Sequence, residues 1–399
     1  MSTEIIQIDP EGDVLIILPV KRSATEPEPP ESSKSPIEKH FICSKKHLTF
    51  ASPRAAKIFS SSFKEATKEE DGFHHWKFDA TFDDKAFDLV LKIIHGKTRD
   101  VPQRLNLDLS VAVASVVDDL QCYDALNYYG HGLLLGFPGL FGPSIPNEIN
   151  KTLVQYVFIS FVFEHERLFK DSTKAAIRFS DGAVPTFELP IRADIPSKTF
   201  SGSQGLKLMR EGHIEKSRLA ISRNLTNALK GLEDRLIKGQ LGCSHGCTSM
   251  LLGALIQGMK AVGLYPARAF PQFSSLTLDF VINSLRNIQS PTYFSAEEGS
   301  VPGKYSGSWV LSARSNTAPP PAGFGLFGGQ PRTKAFGTSG LFGTAVANTT
   351  SSGATVADKE HDPATLVRHS CSLKDLLKPI LYVAEAEIEG LNLADYPRP

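Results

Sequence analysis

Residues 296–362 are built largely of Gly, Ser, Pro, Thr and Ala with no apolar periodicity, and no other feature limits the fold as strongly. Such a segment cannot bury enough apolar surface to offset its ordering entropy, so the sequence predicts a disordered insert. An apolar pattern resumes at Leu373 and runs towards Glu389. It predicts a C-terminal helix within 363–399, kinked or restarted at Pro379 and stopped at Gly390, packing back on the region before the insert.

The first third reads differently. Asp13 to Leu18 is a short β-branched run, a buried strand that Pro19 ends. Residues 21–39 are rich in Pro, Glu and Ser and predict a solvated loop inside a hairpin, with a strand resuming at His40–Cys43. Leu48, Ala51, Ala55, Ile58 and Phe59 fall at helical steps, with Pro53 placed to start a second helix. His74–Phe78 alternates like a strand, and Thr81–Asp84 offers a cap for a helix carrying Phe87, Val90, Leu91 and Ile94. Helices follow at about 107–120 and 123–135. Three strands mixed with these helices make an α+β domain over residues 1–136, joined by a 137–147 linker to a helical region over 148–295. In that region 153–163 is apolar on every face, 198–238 is charged and helical with glycine interruptions, and 248–262 and 276–288 are helical.

Charge decides which partners fit. The 399 residues hold 43 basic and 43 acidic side chains, so no net field draws the chain onto nucleic acid or anionic lipid. No apolar run is long enough for a bilayer, and MSTEIIQIDPEGD lacks the basic start and apolar core of a signal peptide. Five cysteines without a secretory signal fit a reducing compartment, cytoplasm or nucleus.

Several motifs imitate chemistry without its context. Gly323-Phe-Gly325-Leu-Phe-Gly328 matches the dinucleotide fingerprint in letters, but prolines precede it and no helical period follows. Gly96-Lys97-Thr98 lacks the first P-loop glycine, since Leu91 stands there. His165-Glu166 lacks the second histidine of a zinc protease, since Phe169 stands there. The expectation is a protein that is not an enzyme.

Two constellations stay open. Phe324, Phe327, Phe336 and Phe342 lie in spaced FG dipeptides that resemble nucleoporin FG segments, which make weak contacts with transport receptors; the alternative is a plain low-complexity linker. Cys243-x-x-x-Cys247, with His245 between, and His369-x-Cys371 offer thiolate and imidazole ligands from two knuckles. These residues either complete a tetrahedral structural zinc site that staples the last helix across the insert, or are small buried hydrophobes. Cys43 and Cys122 fall in core elements and read as structural.

The first 135 residues resemble a BTB/POZ domain. The residues that carry the resemblance are Asp13-Val14 with its strand, and Phe41-x-Cys43-x-Lys45-x-x-Leu48-x-x-x-Ser52-Pro53. To these are added Ile58-Phe59, the strand at Trp76–Phe78, and the Phe87–Gly96 helix ending in Ile93-Ile94-His95-Gly96. Ser44 stands where the family usually has histidine and Ala55 where phenylalanine is common. The helical region, with Cys243, Cys247 and His369-Ser-Cys371-Ser-Leu373, resembles more loosely the C-terminal part of filamentous-fungal BTB proteins. The resemblance implies protein partners, a homodimer, and in many members a cullin-type ubiquitin ligase scaffold that receives a hydrophobic-x-Glu motif. Phe63-Lys64-Glu65 stands in that place. The expected function is partner recruitment and self-association; the alternatives are a cullin adaptor and an FG-containing nuclear-pore or chromatin scaffold.

Overall fold

The β-branched run after Asp13 becomes the middle of a sheet. The computed structural model describes residues 4–20, 37–60, 62–102, 104–134, 144–192, 195, 212–265, 275–291, 293–295, 366–368 and 370–397. Among them are four strands in one sheet: β1 (Glu4–Gln7), β2 (Val14–Val20), β3 (Ile37–Cys43) and β4 (His74–Lys77), in the order β1-β3-β2-β4. β2 and β3 form the expected antiparallel hairpin, with Ile16 opposite Phe41, whereas β1 and β4 run parallel to their neighbours. The class is α+β.

Pro19 does not end β2, contrary to the sequence expectation. The Ile17 carbonyl accepts from the Phe78 N–H on the β4 side, and Pro19, two residues on, faces the same way. β4 reaches no further than Ile17, so the missing proline N–H leaves no ladder bond unmade.

Helices cover the sheet. α1 (Lys45–Ala51), α2 (Pro53–Ser60), α3 (Asp84–Ile94), α4 (Leu107–Leu120) and α5 (Tyr123–Leu134) lie close to the predicted positions. Asp13 has a use beyond opening the strand: its Oδ1 accepts from the first amide of α1, Lys45 N, at 2.7 Å. The core holds Phe41, Trp76, Phe78 and Phe87, with ring centroids 4.9 Å apart for Phe78 and Phe87.

His95 ties α3 to α1. Its Nδ1–H donates to the Leu91 carbonyl at 2.8 Å, and its Nε2 accepts from the Ser44 N–H at 3.1 Å, so the ring is neutral. Burial holds its pKa below the ordinary 6.5. Because the folded value lies below the unfolded one, the stability present above pH 6.5 is lost as pH falls through the folded pKa. Urea midpoints are expected to drop between pH 7 and pH 5, and the drop should shrink in His95→Gln. Equal drops in both proteins would contradict this latch.

The helical half comprises α6 (Lys151–Val162), α7 (Glu166–Phe179), α8 (His213–Ile237), α9 (His245–Ala261), α10 (Leu278–Arg286) and α11 (Leu373–Glu387). In α6, every residue from Leu153 to Val162 is buried, as an all-round apolar helix requires. The polar Gln155 is accommodated because its Nε2 donates to Asp108 Oδ1 of α4 at 3.0 Å. α11 packs on α8, α9 and α10, and it runs unbroken through Pro379, which is exposed. It ends at Glu387 with Ile388 as its cap, and the expected stop residue Gly390, three residues on, is needed for space: a Cβ there would meet the Lys170 carbonyl oxygen at 1.7 Å.

Residues 1–292 with 370–399 form one compact unit, and 293–369 form a second. In the second, β5 (Tyr293–Ser295) and β6 (Leu366–Arg368) pair antiparallel, two short strands with no signal in the sequence. The whole of the predicted 296–362 insert, including Phe324, Phe327, Phe336 and Phe342, lies outside the described residues, as do His369 and residues 21–36. Among the described residues no helix is long and apolar enough to cross a membrane.

Candidate partner-binding turn and thiol cluster

The turn after α2 is built from local hydrogen bonds. Ser52 Oγ accepts from Ala55 N at 3.0 Å and donates to the Leu120 carbonyl, fixing the start of α2 against the end of α4. Arg54 pairs with Asp119 and lies over the Trp76 and Phe78 rings. Beyond α2, Phe63 caps a single 3-10 turn at Lys64–Ala66, closed by Ala66 N to the Phe63 carbonyl at 3.1 Å.

His74 of β4 holds this turn from below. It is buried, and its Nδ1–H donates to the Glu65 carbonyl at 3.1 Å. With that tautomer set, its Nε2 accepts from Lys45 Nζ at 3.5 Å. The backbone of Phe63-Lys64-Glu65 is therefore fixed to the sheet while the Phe63 ring stays 49% exposed and Glu65 is half-buried. The sequence singled out Phe63 and Glu65 but gave no hint of His74. An i-to-i+9 contact through a histidine has no local pattern.

A second site gathers at the start of α9. Ser244 Oγ accepts from Cys247 N at 3.2 Å, the ordinary N-cap bond. Thr248 Oγ1 donates to the Leu241 carbonyl at 2.6 Å. Gly242, at φ +99°, lets the preceding turn fold over this helix end, where a Cβ would meet Thr248 Oγ1 at 2.7 Å. Cys243 is thereby set beside Cys247 on the first turn of α9. Cys371 arrives from the other side, two residues before α11, where Leu373 N donates to Ser290 Oγ at 2.6 Å.

The three Sγ atoms lie within 4.8 Å of one another, and together they could hold a metal ion. Tetrahedral zinc with Zn–S near 2.3 Å needs sulfurs about 3.8 Å apart, so side-chain rotation of about an ångström completes the approach. Cys247 is buried, Cys371 half-buried and Cys243 exposed. Burial, together with the Cys243 and Cys371 thiols, pushes Cys247 up to about 11, against a hydrogen bond from the Cys243 backbone. Three of the four predicted ligands are thus brought together. His369 lies outside the described residues, and His245 is exposed at the first position of α9. Cys43 and Cys122 are fully buried; burial pushes Cys122 up to about 12 and Cys43 well above the thiol range, as inert packing residues require.

A polar cleft of about 360 Å³, for which the sequence holds no local signal, is lined by His131, Glu164, Glu166 and Tyr396. Glu164 sits there at φ +53°, and the neighbouring His165 is used structurally, its Nδ1 accepting from Leu168 N at 3.1 Å to cap α7. The His165-Glu166 pair is therefore the start of a helix. No protein-family model matches the chain, and no curated protein matches it in sequence.

Proposed function

We propose that the chain is a non-enzymatic protein-interaction protein of the BTB/POZ type, recruiting a partner through the Phe63-Lys64-Glu65 turn. One observation carries this reading: a large aromatic ring is half-exposed on a backbone that hydrogen bonds already hold in place. A preordered anchor loses little entropy on binding, and a ring that fills a pocket beside a pairing carboxylate is the usual form of a binding hot spot. A cullin-type scaffold suits this chemistry. Exchanging Phe63→Ala with Glu65→Lys is expected to abolish capture of that partner without unfolding the chain. Capture at the native level from the folded variant would remove the turn from the interface.

Self-association has its own support. Among the described residues β1 pairs on one side only, at the end of the sheet, and its Ile5 is 60% exposed. An open edge with an apolar side chain is a template for another strand. Sedimentation of the full chain is expected to show a dimer that Ile5→Lys converts to monomer. A monomeric native chain at tens of micromolar would overturn self-association.

The cluster of Cys243, Cys247 and Cys371 is, in this reading, a structural zinc site that holds the helical half together. The chemistry of the donor set supports it, because thiolates select soft or borderline metals.

A further inference from the structure

The two ends of α11 are held by different chemistry. At its C-terminal end, Glu385 pairs with Arg286 at 2.7 Å and with Arg178 at 3.8 Å, while Arg178 also binds Asp279 at 2.8 Å. Glu387 accepts from Asn224 of α8 at 3.1 Å. At its N-terminal end are the Ser290 bond to Leu373 N and the thiol cluster. Between the two ends stands Pro379, which removes the amide that would have bonded the Asp375 carbonyl and so weakens the helix at its middle. The apolar stripe is divided at the same place, Leu373 and Leu377 before it, Leu381 and Ala384 after.

The cluster joins chain positions far apart. Cys247 lies in the first turn of α9 and Cys243 just before its cap Ser244, whereas Cys371 lies just beyond the 293–369 unit. A metal ion there closes a long loop that no other covalent or coordinate link closes among the described residues.

We propose that a metal ion held by Cys243, Cys247 and Cys371 latches the first half of α11 onto α9. Its removal releases Leu373–Lys378 while the half beyond Pro379 stays docked. This rests on the reading of the thiol cluster as a metal site. The latch makes the exposure of Leu373 and Leu377 depend on zinc, so the helical half has a metal-controlled surface.

Hydrogen exchange on the full-length protein tests it, with zinc quantified in the same samples. Removing zinc with a chelator is expected to speed exchange at the Leu376, Leu377 and Lys378 amides at least about tenfold. Amides from Val383 onward, whose carbonyl partners lie outside the released segment, and those in β2 and β3 should not change, and added zinc should restore protection. Cys371→Ser should exchange fast from the start and ignore the chelator. A chain that neither carries zinc nor takes it up would overturn the metal site and the latch together. A chain that binds zinc stoichiometrically but exchanges alike with and without it would overturn the latch and leave the metal site standing.

Discussion

Phe158→Ala is expected to destabilise the protein by about 3–5 kcal/mol, among the largest effects of any single core truncation. Phe158 is fully buried in the middle of α6, a helix with no solvent-facing side from Leu153 to Val162. α6 packs against α4 of the sheet domain on one side and α7 on the other, so a cavity there is felt by both halves. The measurement is a denaturant titration followed by Trp fluorescence. Both tryptophans belong to the chain's own sequence, and Trp76 sits in the sheet domain, so it reports whether that domain loosens when a helix of the other half is hollowed out. A loss under about 1 kcal/mol, or none at Trp76, would mean that α6 is not shared between the halves.

The elements that could be read from sequence were those whose signal is local. The Asp83 cap of α3, whose Oδ1 accepts from Ala86 N at 2.9 Å, the apolar period of α4 and the unbroken apolar run of α6 each carry their cause within a few residues. β1 escaped because it is four residues with an exposed pattern and no apolar run; only its pairing with β3 makes it a strand. α7 escaped although its face of Leu168, Phe169, Ser172, Thr173, Ala176 and Ile177 is regular, because two of those six positions are hydroxyl residues. Their hydroxyls donate to the Phe169 carbonyl of the preceding turn, so they pack as small core residues despite their polarity. The helix expected towards Glu389 forms and continues through Pro379 without a restart, since an exposed proline on a helix whose other face is docked need not interrupt it.

The candidate sites divide the same way. Cys243 and Cys247 are near in sequence, and pairing them with Cys371 needed only the idea that two knuckles meet, which the fold supplies through the Ser290–Leu373 bond. The hydrophobic-x-Glu turn was visible as three letters. Its presentation was not, because that depends on a buried histidine of β4 and a lysine of α1. Nothing in the sequence indicated Ile5 or the His131–Tyr396 cleft, which arise from segments brought together only by the fold.

The second large effect is on binding. Phe63→Ala with Glu65→Lys removes an exposed ring and reverses a charge, while the polar bonds of the turn run through its backbone and survive both changes. Folding stability is therefore expected to stay within about 0.5 kcal/mol of the native chain. Loss of a preordered anchor weakens a partner by at least about 2 kcal/mol, roughly thirtyfold in affinity. That contrast, stability kept and binding lost, separates a recognition residue from a packing residue.

The most direct measurement is affinity capture with mass spectrometry, comparing the native chain with the folded Phe63→Ala, Glu65→Lys variant. The account predicts a cullin-type scaffold recovered with the native chain and lost with the variant, while proteins held through other surfaces stay with both. Identical sets of partners from the two chains would contradict it and return Phe63 to the role of an exposed side chain on a structural turn.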